Sequence, residues 1–167
     1  FLLATIDAYG EDGFEAYWQS LVENGVRAVS GWEEAYYGEF TVGGGGDRPI
    51  VVSYASSPPA EVIFAEETPE TAPTAVMTDG CFRQVEYAGI LRDSESARLL
   101  VDFMLSETFQ ADIPLNMFVF PAVTDTPLPI EFVEHTELPS DPASVDPADI
   151  EANRDAWIDA WTEIVLP

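Results

Sequence analysis

One stretch constrains this chain more than any other: residues 29–58, where two apolar runs each end in aromatic and hydroxyl side chains. Ile50, Val51 and Val52 form a β-branched run between Asp47-Arg48-Pro49 and Ser56-Ser57-Pro58. Branched side chains suit a pleated strand, and proline bounds one because it has no N–H to give to a ladder. The pattern predicts a buried strand ending at Ser53-Tyr54. Residues 26–30 predict another, and Trp32 follows its end. In open α/β sheets ligands bind beyond the carboxyl ends of strands. Trp32, Tyr54, Ser53, Ser56 and Ser57 are therefore candidate pocket-wall residues. The alternative is that both rings are ordinary core.

The rest of the chain supplies helices around these runs. Leu2, Leu3, Ile6 and Tyr9 recur at helical spacing, and 10–13 interrupts them with two glycines. Phe14, Tyr17, Trp18, Leu21 and Val22 then line one face of an amphipathic helix that Asn24-Gly25 stops. Residues 32–40 predict a short helix, with Glu33 and Glu34 in the first turn opposing the helix dipole. The glycine-rich residues 41–47 read as a flexible loop, and they lack the Gly-Lys-Ser/Thr of a phosphate cradle. A helical turn is expected over 60–64, a short strand over 74–77 and a longer one over 84–91. Asp93 or Ser94 should cap a helix whose buried stripe is Ala97, Leu99, Leu100, Phe103 and Met104. A further helix should start at Ser106 and stop before Pro114, with a strand over 115–120. Residues 124–147 read as an extended connection. Asp146-Pro147 opens a last helix with Ile150, Trp157, Ile158, Trp161 and Val165 on one face. Alternating strands and helices imply an α/β layered fold.

Composition narrows the function. The 167 residues hold 31 acidic and six basic side chains, all six of them Arg, for a formal net charge of -25. Such a surface repels nucleic acid and anionic membrane and suits a cationic ligand. Cys81 is the single cysteine, so no internal disulfide is possible. His135 is the single histidine, in a stretch read as loop, which argues against a His-based metal site or a Ser-His-Asp triad. No apolar span approaches the about 20 residues of a membrane helix. Phe1 opens the chain inside an apolar run without a Met, as in a piece of a longer protein. The serines are not in a Gly-x-Ser-x-Gly elbow, and no carboxylate spacing argues for a glycosidase pair. Trp32, Tyr36, Tyr54 and Phe118 all fall at or beyond predicted strand ends. Aromatic faces stack flat heterocycles and attract cations by roughly 0.5–2 kcal/mol each.

A resemblance runs through these same residues. Gly31-Trp32-Glu33-Glu34-Ala35-Tyr36 and Val52-Ser53-Tyr54-Ala55-Ser56-Ser57-Pro58 come first, then Gln84-Val85-Glu86. Phe103-Met104-Leu105-Ser106, Phe109-Gln110, Ile113-Pro114, Phe120-Pro121, Arg154-Asp155-Ala156-Trp157-Ile158 and Trp161 follow in order. The whole set resembles the C-terminal portion of the thiamine-binding proteins of bacterial ABC transporters. The resemblance implies a class II periplasmic-binding-protein-like fold of two α/β lobes with ligand between them. Residues 1–74 and 125–167 would form the second lobe, and 75–124 would return to the first, whose N-terminal part lies outside this sequence. It also implies ring stacking by Trp32 and Tyr54 and polar contacts from Ser57, Ser53 and Ser56; Tyr36 is a further candidate ligand-binding residue. Phe118 stands where the family places a Trp, keeping a stacking face but losing the indole donor. Ala60 stands where the family has a Tyr. The implied role is non-enzymatic and cofactor-free: capture of thiamine or a thiamine phosphate outside the cytoplasm and delivery to an ABC permease. The protein would be periplasmic or extracellular, free or lipid-anchored to the outer face of the cytoplasmic membrane. A polyamine, iron(III), or a thiamine-related enzyme with Cys81 as nucleophile are the alternatives.

Overall fold

Helices account for nearly all the regular structure in the computed structural model, which describes residues 1–166. The chain divides into two units. The first comprises Phe1–Ser53, Met77–Arg83 and the chain from Pro139 on; the second comprises Tyr54–Val76 and Gln84–Leu138.

In the first unit, helices α1 (Leu2–Tyr9), α2 (Phe14–Glu23) and α9 (Pro147–Val165) form where apolar spacing predicts them. Gly10 ends α1 and Gly25 follows α2, both at positive φ (72° and 79°) that a side chain would strain. The Asp146 carboxylate accepts from the Ala148 N–H, satisfying an otherwise orphan donor at the start of α9. Ile6, Phe14, Trp18 and Trp157 are the buried centre, with Leu2, Leu21, Ile150, Trp161 and Ile164 packed around them. Trp18 Nε1 donates to the buried Thr5 Oγ1 at 3.0 Å. Thr5 Oγ1 in turn donates to the Leu2 carbonyl at 2.7 Å.

In the second unit, α5 (Ser57–Phe64) packs on α8 (Ile130–His135), and α6 (Glu95–Met104) on α7 (Glu107–Met117). Val62, Phe132, Pro59 and Pro114 are buried here. Ser94 and Ser106 cap α6 and α7 by accepting from the Ala97 and Phe109 N–H groups. The buried Gln110 donates to the Met104 carbonyl at 2.7 Å and accepts from the Ala122 N–H at 2.7 Å, so both ends of its amide are used.

Several expectations are corrected. No strand ladder exists among the described residues; two isolated parallel bridges, Phe40 with Arg48 and Phe82 with Ala143, are the only pairings. Residues 26–30, 50–54, 74–77 and 84–91 are irregular chain. A β-branched run favours an extended backbone, but a strand also needs a neighbour to take its N–H and C=O groups. Residues 115–117, expected in a strand, instead end α7, which runs through Pro114. The connection over 124–147 contains α8, which buries Phe132 and places His135 on a helix. The apolar stripe of α6 is mostly exposed: Leu99, Leu100 and Phe103 face solvent.

Phe14→Ala should destabilise the first unit by about 3–5 kcal/mol, the cost of emptying a fully buried aromatic site. Thr5→Val should cost about 1–3 kcal/mol by leaving the Trp18 N–H buried without an acceptor. Urea unfolding followed by tryptophan fluorescence reads both.

Candidate functional site

Two short segments of the first unit place Trp32. Gly31 is extended, and the chain then turns into the one-turn helix α3 (Trp32–Glu34), which widens into a π-turn over Ala35–Glu39. The i+5 bond from the Phe40 N–H to the Ala35 carbonyl closes that wider turn at 3.0 Å. Such bulges recur at functional sites because they re-aim side chains. Here the bulge gathers three rings. Trp32 stacks on Tyr36 with centroids 5.0 Å apart and planes 24° from parallel. Tyr37 meets Trp32 edge-on at 5.4 Å. Tyr36 is buried, 3% exposed, with Phe40 tilted against it, whereas Trp32 is 36% exposed. Tyr36 is thus the floor under Trp32.

The indole is held at its polar edge as well. Trp32 Nε1 donates to Ser53 Oγ at 2.9 Å, across 21 positions of sequence. One residue before the turn, the Glu34 carboxylate accepts from both the N–H and the hydroxyl of Ser30, at 3.1 and 2.7 Å, through the same Oε2 atom. These bonds hold the Glu34 carboxyl below the ordinary glutamate range, the Ser30 hydroxyl contributing most. Arg27 Nη1 donates to both carboxylate oxygens of Glu39, at 2.7 and 2.6 Å, fastening the incoming chain to the end of the π-turn.

The glycine run is not the loose loop expected. Residues Thr41–Gly44 form helix α4, folded against the π-turn. A Cβ on Gly44 would collide with the Tyr37 carbonyl, and one on Gly46 with the Glu39 carbonyl. A Cβ on Gly43 would come within 2.6 Å of the Tyr36 ring. Glycine is needed there for close approach beneath the aromatic floor. The double Tyr36-Tyr37 followed by Gly43-Gly44-Gly45-Gly46 was the available signal for this packing, and Tyr37, Glu34 and the glycines are the residues that sequence reasoning left out of the site.

The remaining candidates belong to the second unit. Tyr54 is 52% exposed, and its carbonyl accepts from the Ser57 N–H at 2.9 Å. Ser56 is buried at the start of α5, and Ser57-Pro58-Pro59 form its first turn. Ala60 is half-buried on the same helix. Phe118 caps α7 at positive φ (53°), and its ring tilts against Phe64 at 5.2 Å. Phe64 ends α5, so this ring contact lies about 10 Å along the helix from Ser57, seven residues at 1.5 Å each. The candidates therefore fall into a Trp32–Tyr36–Ser53 group, a Tyr54–Ser56–Ser57 group, and Phe118 on Phe64.

Among the described residues no three His, Cys, Asp or Glu side chains are grouped to hold a metal ion. No described helix is long and apolar enough to cross a membrane. Burial, and then the Asp79 carboxylate, push the Cys81 thiol up, and its Sγ lies 3.3 Å from the Met77 carbonyl. A nucleophilic cysteine needs the opposite shift.

Over nearly all of its length the chain is similar to periplasmic binding proteins. It is 34% identical to the thiamine-binding periplasmic protein of Escherichia coli K12 and to that of Salmonella typhimurium LT2, in each case over 160 residues and 94% of this chain. It is 30% identical to the thiamine-binding periplasmic protein of Brucella suis over 164 residues, 96% of this chain. It spans 46–47% of those relatives, about half their length. No family model and no solved structure matches the chain.

Gly44→Ala should disturb the tyrosine floor, lowering the unfolding midpoint and shifting the near-ultraviolet circular dichroism of the rings, whereas Gly89→Ala, with open space around it and no positive φ, should leave the ring signal unchanged. Cys81 should alkylate slowly at pH 7, with the rate rising through a midpoint above the about 8.5 of a free thiol, because its neutral form is the favoured one. A pH series with iodoacetamide measures this.

Proposed function

We propose that this chain is part of an extracytoplasmic solute-binding protein that captures thiamine or a thiamine phosphate and hands it to an ABC permease, without catalysis and without a cofactor of its own. The observation that carries this reading is the chain-long similarity to proteins named for thiamine binding. The arrangement at Trp32 supports it. Thiamine joins a flat pyrimidine to a cationic thiazolium ring. An indole backed on one side by Tyr36 and tethered at its N–H offers one flat, electron-rich face. An acidic molecule with net charge -25 favours a cationic ligand at long range. In this reading Trp32 and Tyr54 stack on the ligand, Tyr36 supports Trp32, Ser53, Ser56 and Ser57 provide polar contacts, and Phe118 adds a ring.

The same reading assigns residues 1–74 and 125–167 to the second lobe of a class II binding fold and 75–124 to a segment returning to the first. Two observations favour a larger protein of this kind: the relatives are about twice as long, and apolar side chains such as Leu91, Leu99 and Phe103 stand exposed. The irregular chain at residues 84–91, where Val85, Tyr87 and Leu91 stand exposed, is in keeping with such a larger protein. The raised Cys81 thiol weighs against a nucleophilic enzyme.

Isothermal titration of the intact protein with thiamine, with spermidine and iron(III) as controls, tests the reading. One-to-one binding of thiamine and not of the controls is expected, and Trp32→Ala should weaken it by more than about tenfold, the loss of one well-placed stacking and cation–π contact. Absence of thiamine binding, or unchanged affinity in the Trp32 variant, would overturn the ligand or the site respectively.

A further inference from the structure

Trp32 lies on a surface turn that its own short helix is too small to fix, yet the indole is held in one orientation. The floor is Tyr36 and the tether is Ser53. Neither sets the path of the backbone that carries Trp32 into place. That path runs through Ser30 and Gly31, and Gly31 has no side chain with which to anchor itself. The Glu34 carboxylate bonds this entry turn: it accepts from both the N–H and the hydroxyl of Ser30 and so spans the turn from one side of Trp32 to the other.

We propose that Glu34 is a positioning residue for the binding site: its carboxylate clasps Ser30 and thereby holds the Trp32 ring in the orientation in which it meets the ligand. The role rests on the reading of Trp32 as a ligand-stacking residue. It differs from a direct electrostatic role in one respect. Both bonds from Ser30 end on the same atom, Oε2, so a single acceptor oxygen suffices and the negative charge is not needed. A glutamine places a carbonyl oxygen at the same reach. An acidic residue that met the cationic ligand itself would lose its effect on conversion to glutamine. The neighbouring Glu33 makes no recorded bond to Ser30 and serves as the control position.

The test uses the intact protein with Glu34→Ala, Glu34→Gln, Glu33→Ala and Trp32→Ala, alone and with Glu34→Ala added to Trp32→Ala. Thiamine affinity is read by titration, and the state of the indole by acrylamide quenching of the Trp32 emission, isolated by subtracting a Trp32→Phe spectrum. Glu34→Ala should weaken binding by about fivefold, the worth of one ordinary hydrogen-bonded contact, and make Trp32 more quenchable. Glu34→Gln should restore both, and Glu33→Ala should change neither. In the Trp32→Ala background Glu34→Ala should cost nothing more, because Glu34 acts through the ring. Wild-type binding and quenching in Glu34→Ala would overturn the proposal. So would loss of binding in Glu34→Gln equal to that in Glu34→Ala, which would make Glu34 a charge contact. If Glu34→Ala does not fold, Ser30→Ala removes the hydroxyl partner alone and should reproduce a smaller part of the quenching change; no change there would also overturn it. If the wild type does not bind thiamine, the ligand reading fails while the quenching series still decides whether Glu34 orients Trp32.

Discussion

The packing of Trp18 is the interaction on which the first unit depends. Its indole N–H passes a bond to Thr5, which passes one to the Leu2 carbonyl, so these two polar side chains are paired in series, whereas the buried Trp161 Nε1 beside them has no hydrogen-bond partner. Its ring meets Trp161 edge-on at 5.6 Å, with planes 88° apart, a favoured geometry for rings whose faces are negative and edges positive. That contact closes a loop of nearly the whole chain, since α2 lies near the beginning and α9 at the end. The entropy cost of closing a loop grows only logarithmically with its length, so a few large buried rings suffice to offset it. With α9 secured, the segment around Ala143 reaches Cys81, whose carbonyl accepts the Ala143 N–H at 2.8 Å. Three distant pieces of sequence thus share one core.

Charge contributes little to that cohesion. Thirty-one carboxylates face six arginines, and the pairs formed by Arg98 with Asp93 and Arg154 with Asp155 are exposed on both sides. Exposed pairs are worth about 0–1 kcal/mol each, and salt screens them. Arg27 and Glu39 differ in geometry, because one guanidinium nitrogen bridges both carboxylate oxygens, and in place, because they join the strand-like approach to Trp32 with the end of the π-turn. Two carboxylates flank the aromatic cluster: Glu39 paired with Arg27 at the end of the π-turn, and Glu34 bonded to Ser30 at its start.

What sequence patterns reveal here follows from how local each interaction is. The helices α2, α6 and α9 were legible because their periodicity and their caps, Ser94 and Asp146 among them, lie within a few residues. The helical turn at Trp32 was legible for the same reason. The strands were not. Ile50, Val51 and Val52 carry β propensity, but Ile50 and Val52 stand exposed with no ladder, since pairing depends on a remote neighbour that propensity cannot specify. Helix α7 was cut short at Pro114 on general grounds, yet that proline is buried within it, because packing outweighs one missing N–H. The glycine run misled in the opposite sense: glycine marks both freedom and close approach, and only the tyrosine backbone beneath Gly44 distinguishes them. The grouping of Ser53 with Trp32, twenty-one residues apart, had no local signature at all.

Magnitudes set what this arrangement can do alone. One aromatic face attracts a cation by roughly 0.5–2 kcal/mol, whereas micromolar affinity requires about 8 kcal/mol. Tyr36 occupies one side of Trp32, and Tyr37 meets the indole edge-on. In the proposed site, a ring fixed before the ligand arrives spares the cost of ordering a side chain on binding, about 0.5–1.5 kcal/mol. Trp32 is therefore one prepared wall. A tight site for a flat cation needs a second surface opposite the first, with polar groups for the edges of the rings.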